Sequence, residues 1–328
     1  MTLRPVTGIA AALGLALAAA QPAAAQQVVQ INSSLPEGSF AHVFLQEFES
    51  RLEAALPGEI DLQIFMGNTL GSEEDVLQGM SLGTHHASLS ASAVTQVNPR
   101  AAVFDLPYLF PDRAAVQAFA QSEAGALLAE GFEGQGMRLL ALWDNGFRVI
   151  TNDVRPVVTP ADLAGLKIRT PTSRQRVAMF NTLGANATPL SFGELYSALD
   201  QGVVDGQENP AHVAASSRFY EVQDYMSLSN HVYLPTFLLF SSSLLDRMTP
   251  EMRETIETIA AEMAPWTMAW GDETDAKTLA ELEGKIAINE VDFPAFQQAA
   301  APLFDDPVFV EVIGAEMIAA TRAAISGQ

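Results

Sequence analysis

Apolar residues recur along this chain in two periods, and each change of period marks a new element. Residues 28–32, VVQIN, read as a short buried strand with the polar Asn32, Ser33 and Ser34 at its carboxyl end. Phe40, Val43, Phe44, Phe48 and Leu52 then recur at helical spacing and predict one buried helix face. The alternating run EIDLQIF predicts a second strand. GSEEDVLQGMSLG predicts a second helix, with Ser72 as N-cap and acids in its first turn. HHASLSASA continues as a small-residue strand, and VFDLPYLF, interrupted by proline, as a buried crossover. This alternation begins an open α/β sheet. Ligands of such sheets lie beyond the carboxyl ends of the strands, which puts Asn32, Ser90 and Ser92 on a pocket rim. Loop capping is the competing role for the two serines.

Further on, DRAAVQAFAQSEAGALLAEGF is helical and GMRLLALWDNGFRVIT extended. Trp143 precedes the Asp144-Asn145-Gly146 turn, where it either lines a pocket or packs against a hinge. From 160 to 210, helix and strand alternate at the pace of a second parallel sheet. LKIRTP is a strand with Lys167 and Arg169 on one face, and SRQRVAMFNTLGA is a helix ending at Gly184. NATPL is a strand, and SFGELYSALDQ is a helix with Ser191 and Glu194 as a capping box. VVDGQENP is a strand that Pro210 ends. Arg148 and Arg169 therefore sit in or at short strands, and Asn209 follows another. If these three donors converge, they clamp an anion.

FYEVQDYMSLSNHVYLPTFLLFSSS returns in extended segments, so the domains are expected to be discontinuous. The helical stretch that starts at Thr249 is too long for one small domain and should bridge both, with a kink at Pro265. The expected division is 26–145 plus 234–272 as domain I and 146–233 plus 273–328 as domain II. The fold class is α/β, in two domains.

Residues 1–25 run from the basic Arg4 through an apolar stretch to Ala23-Ala24-Ala25, the order of a secretory signal cleaved near Ala25-Gln26. The apolar stretch is shorter than the ~20 residues a membrane span needs. Cysteine is absent, which removes disulfides and thiolate chemistry. The whole chain carries a formal charge of −22, and loss of Arg4 leaves 16 basic residues against 39 acidic ones. Such a surface repels nucleic acid, and any anion site must consist of local, partly desolvated arginines. Lys167, Lys277 and Lys285 are the only lysines, so cation chemistry here means guanidinium, which grips carboxylates bidentately.

Motifs for nucleophilic, zinc-protease, P-loop and dinucleotide chemistry are absent. His85 and His86 are adjacent and point apart on any strand, which makes a poor metal pair. No metal and no cofactor are expected. GFRVITN, DLAGLKIRTP, TLGANATPLSFGELYSALDQGVVDGQENP and FYEVQDYMSLSNHVY together resemble the solute-binding component of tripartite ATP-independent periplasmic (TRAP) transporters. That component belongs to the family of C4-dicarboxylate and sialic-acid binding proteins. NTLGSEEDVLQGMSLG and VFDLPYLF extend the resemblance over essentially the whole mature chain.

The resemblance implies a two-domain periplasmic binding protein fold, type II-like, with a long bridging helix and hinge closure on the ligand. It implies a bidentate salt bridge from Arg169 to a ligand carboxylate, with Arg148 and the Asn209 amide approaching the same group. Phe192 packs on the ligand body. The implied partners are a small organic acid and the small and large membrane subunits of the transporter, with the chain a periplasmic monomer. For the distal pocket, Asn32, Ser90, Ser92, Trp143, His212 and Tyr233 are the candidates. Their polarity favours a C4-dicarboxylate, with sugar acids close behind. Two alternatives stand beside this: an exported α/β enzyme acting on acidic substrates, and a ligand-sensing partner of a membrane receptor.

Overall fold

The computed structural model describes residues 26–326, so the expected signal segment lies outside the described residues. In chain order the elements are β1 (Gln27–Asn32), α1 (Phe40–Ala55), β2 (Ile60–Phe65), α2 (Glu73–Ser81) and β3 (Ala87–Ser90). Two 3-10 segments then lead to α3 (Arg113–Ala120), α4 (Glu123–Glu133), β4 (Met137–Trp143) and β5 (Arg148–Asn152). Next come β6 (Lys167–Thr170), α5 (Arg174–Thr182), β7 (Asn186–Pro189), α6 (Leu195–Asp200), β8 (Gly206–Pro210) and α7 (Ala211–Ser216). The chain continues with β9 (Tyr225–Leu228), β10 (Thr236–Ser241), α8 (Ser242–Leu245) and α9 (Pro250–Leu282). It closes with β11 (Ala287–Glu290), α10 (Phe293–Ala300), α11 (Pro307–Ile313) and α12 (Ala315–Ser326).

These strands form two sheets, ordered β2-β1-β3-β10-β4 and β11-β9-β5-β8-β6-β7. Both sheets borrow strands from distant parts of the sequence: β10 lies between β3 and β4, and β11 joins the edge of the second sheet. The second sheet is mixed rather than parallel as expected. β6 runs parallel to β7 and β8, while β5 runs antiparallel to β8 and β9.

Local chemistry sets most boundaries. Ser72 and Asp75 form a reciprocal capping box at the start of α2. The helical run after Asp112 divides at Gln121, where Ser122 caps a new helix by accepting the Ala124 N–H. Ser191 departs from expectation: its hydroxyl donates to Glu194 at 2.8 Å, but it caps no backbone N–H. The segment accordingly enters as a 3-10 turn before α6. The long helix runs on through Pro265. Its first half packs on the core of α1 and the first sheet, and Leu279 and Leu282 pack on the core under α6 and β9. At the chain's end, α12 lies against α3 and α4 of the first-sheet layer, and α11 against the segment 99–105.

Two extended connections cross between the sheets beside the middle of α9. One contains Gly146, at φ +99, and the other Tyr233; Phe147 and Tyr233 form an antiparallel bridge. Arg113 binds Asp144 at 2.9 Å, Asp272 at 2.8 Å and Asp275 at 2.9 Å, tying the first connection to α9. The Tyr233 hydroxyl donates to the same Asp144, and the Asp144 N–H donates to Thr267 at 3.0 Å. Gly271 permits this approach, because a Cβ there would stand 2.0 Å from Asp144 Oδ2. Alanine is the better helix former by about 1 kcal/mol. Forced overpacking costs about 1–3 kcal/mol, and the crossing is held from three sides. Gly271→Ala should therefore lower the denaturant midpoint without altering the slope, as followed by tryptophan fluorescence.

Candidate functional site

The antiparallel entry of β5 decides where the arginines meet. Arg148 opens β5 and faces Pro210 at the carboxyl end of β8, with Asn209 opposite Val149. Arg169 on β6 lies beside Gln207 of β8. Three neighbouring strands thus deliver Arg148, Arg169 and Asn209 to one edge of the second sheet. That edge faces the carboxyl ends of β1 and β3, and between them is a cavity of about 50 Å³. Its lining includes Ser33, Ser34, Glu73, Glu74, Ser92, Asn145, Arg148, Arg169, Phe192 and Asn209. Direct bonds span the cleft at its side: Gln96 donates to Thr172 and Thr172 to Glu74, both at 2.7 Å.

The two arginines differ in their electrostatic standing. Arg148 is clasped by Glu208 through Nε and Nη2, and Nη2 also reaches the Glu208 carbonyl at 2.6 Å and Asn209 Oδ1 at 2.9 Å. Glu208 in turn accepts Arg176 at 2.6 Å and meets His231 at 3.2 Å, and Arg176 is paired with Asp105. All of these groups are buried. Burial alone would raise the Glu208 pKa, but Arg148, Arg176 and His231 hold its carboxyl well below the usual carboxylate range. Burial keeps His231 below its ordinary value. The fixed amide of Asn209 donates to Gln207 at 2.6 Å, which donates to Thr151 at 2.9 Å, so its orientation is set from both sides.

Arg169 has no such partner. Its Nε and Nη2 donate to the Leu190 carbonyl at 3.0 and 2.7 Å, and among the described residues it makes no salt bridge. Burial pulls its pKa down to about 10, which still leaves it charged at neutral pH. The Phe192 ring centroid lies 6.0 Å from its Cζ. Glu73, half-buried on the opposite wall, accepts the Ala91 N–H. Burial pushes its pKa up to about 7, against the opposing pull of that N–H and of Arg169.

Of the residues expected at the site, Arg148, Arg169, Asn209, Phe192 and Ser92 come together on the cavity wall. The others are placed elsewhere. Asn32 is fully buried at the end of β1, next to the lining residue Ser33, and Ser90 bonds Ser88 at 2.6 Å within the sheet. Trp143 is core: it donates to the Ala260 carbonyl at 2.9 Å and packs on Phe44 and Phe48. His212 meets the Asn145 carbonyl at 2.6 Å and packs on Phe40. Tyr233 belongs to the Asp144 cluster at the crossing between the sheets. Sequence reasoning missed Glu73 and Glu74 because acids after a Ser N-cap satisfy helix capping. Their position directly after the β2–α2 connection was the available signal.

Residues 31–309 match the family described as bacterial extracellular solute-binding protein, family 7. The chain belongs to this family. It is 32% identical over 325 residues to the 2,3-diketo-L-gulonate-binding periplasmic protein YiaO of Escherichia coli, with 98% of each chain covered. It is 31% identical over 338 residues to the C4-dicarboxylate-binding periplasmic protein DctP of Rhodobacter capsulatus, with 99% of each covered. The fold is similar to that of the sugar acid binding protein DctPAm of Advenella mimigardefordensis, solved in complex with galactonate. The TM-score is 0.88 at 26% identity, over 93% of this chain and 99% of that one. The expected fold, an α/β two-domain periplasmic binding protein fold, therefore holds. As a member of a family of solute-binding proteins the chain is not an enzyme, which sets aside the exported-enzyme alternative. Among the described residues no helix is long and apolar enough to cross a membrane.

Two outcomes follow from the buried charges. Glu208→Gln leaves Arg148 and Arg176 short of a counter-charge in a dry interior and should cost about 3–5 kcal/mol in chemical denaturation. Glu73 binds its proton more tightly folded than at its ordinary value near 4.5, so its contribution is full below about pH 4.5 and is lost as pH rises to about 7. Relative to wild type, Glu73→Gln should gain stability across that window, on the order of 3 kcal/mol in total, and show no further change above it. A difference that stays flat from acid to neutral pH would contradict this.

Proposed function

We propose that the chain captures a small organic acid in this cavity, holds its carboxylate on Arg169 with Arg148 and Asn209 beside it, and delivers it to the membrane subunits of a TRAP transporter. The observation that carries this is the buried Arg169 guanidinium, which lines the cavity with no salt-bridge partner among the described residues. A desolvated guanidinium needs an anion, and a carboxylate supplies one with two parallel bonds. Arg148 contributes in a different way. Its charge is already balanced by Glu208, so it orients Asn209 and offers a donor that is fixed in advance. Phe192 forms an apolar wall for the ligand body.

The two sheets are the cores of two lobes that close on the ligand: 26–145 with 234–272, and 146–233 with 273–328. The crossings at 144–147 and 229–235 supply the hinge, α9 couples the lobes, and α12 straps the tail back onto the first lobe. The Gln96–Thr172–Glu74 bonds belong to the closed form, which the ligand's contacts with both walls favour. The protein works in the periplasm as a monomer after removal of residues 1–25. Names among its relatives point both to sugar acids and to C4-dicarboxylates.

A thermal-shift screen of the purified protein against organic acids tests this. A bound acid at a hundred times its Kd should add about 2.7 kcal/mol of stability. Arg169→Ala should abolish that shift, and Arg169→Lys should recover only part of it, because an ammonium cannot reproduce the planar fork. A full shift in Arg169→Ala would contradict the clamp.

A further inference from the structure

The charged side chains lining the cavity are Arg148, Arg169, Glu73 and Glu74. Glu208 already neutralises Arg148, which leaves Arg169 as the open cation. Opposite it, Glu73 is half-buried and accepts the Ala91 N–H, while Glu74 is engaged by the Thr172 hydroxyl across the cleft. The cavity is therefore polarised, with Arg169, which makes no salt bridge among the described residues, on the second-sheet wall and carboxylates on the α2 wall. A ligand with one carboxylate matches that polarity, because its anion meets Arg169 and its hydroxyl groups donate to Glu73. A second carboxylate on the same small molecule would be forced beside Glu73 where little solvent screens the repulsion.

We propose that Glu73 determines the specificity of the cleft: it accepts hydrogen bonds from ligand hydroxyl groups and excludes a second carboxylate, selecting polyhydroxy monocarboxylates over C4-dicarboxylates. This rests on the reading that Arg169 takes the ligand's carboxylate, and it names the ligand class for that same site. Two observations support it: the position of Glu73, half-buried, on the cavity wall, and the absence of a salt-bridge partner for it among the described residues. The charged groups that act on Glu73 are Glu74 from its own helix and Arg169 from β6. Because burial raises the Glu73 pKa to about 7, the excluding charge fades as pH falls below neutral.

Titration calorimetry with D-galactonate and L-malate at about pH 8 tests the proposal. Wild type should bind galactonate at least about tenfold more tightly than malate, and Glu73→Gln should narrow that ratio by about tenfold, chiefly by strengthening malate. Wild type at about pH 6.5 should move in the same direction. An unchanged ratio in the folded variant, or a wild-type preference for malate, overturns the assignment. If Glu73→Gln does not fold, an unchanged wild-type ratio between the two pH values overturns it. Arg169→Ala separates the two levels of the account. Loss of both ligands there, together with an unaltered ratio in Glu73→Gln, removes only the role of Glu73. Retained binding in Arg169→Ala, or no binding of either acid by wild type, removes the clamp on which that role rests.

Discussion

A guanidinium taken out of water needs compensation, and this fold compensates its two cleft arginines unequally. Arg148 sits in a closed network in which Glu208 and Asp105 balance Arg148 and Arg176, with the His231 pKa held below its ordinary value by burial. Arg169, on the far side of β8, donates to the Leu190 carbonyl and makes no salt bridge among the described residues. Neutralised charge gives rigidity, because removing any member strands the rest. Open charge gives affinity for whatever anion arrives. The cleft thus has a fixed donor pair, Arg148 with Asn209, next to a cation that the proposed clamp would pair with a ligand carboxylate.

The rest of the architecture brings that asymmetry to the surface where the sheets meet. β5 enters antiparallel, and this puts Arg148 at the same edge as the carboxyl ends of β6 and β8. The crossings that allow such an entry are clamped to α9 through Arg113, Asp144 and Tyr233. A charged cluster at that point fixes where the chain turns while leaving the sheets joined by few crossings. The strongly acidic composition fits the proposed clamp, in which recognition rests on contacts inside the cleft and not on attraction from a distance.

Much of this was legible in the sequence. Helical spacing at Phe40, Phe44, Phe48 and Leu52 marked the buried face of α1, and all four are buried. Strand ends at Arg148, Arg169 and Asn209 gave three positions that the topology gathers on one wall. What was not legible depended on direction and depth. Period alone does not report whether β5 runs with or against its neighbours, so the mixed sheet was missed. Trp143, His212 and Tyr233 are polar-tipped aromatics near turns, a description that fits a pocket rim and a packed hinge equally well. Their hydrogen bonds to Ala260, Asn145 and Asp144 assign them to the interior. Glu73 was hidden for a related reason: its place in the first turn of α2 already had a sufficient local explanation.

The central claim is that Arg169 is the group left open for a ligand carboxylate, and its most direct test is a crystal structure of the protein grown with D-galactonate. The account predicts both carboxylate oxygens within about 2.7–3.1 Å of Arg169 nitrogens, with the Glu208–Arg148 pairing intact. A ligand whose carboxylate lies away from Arg169, or an Arg169 that turns to a protein carboxylate instead, would contradict it.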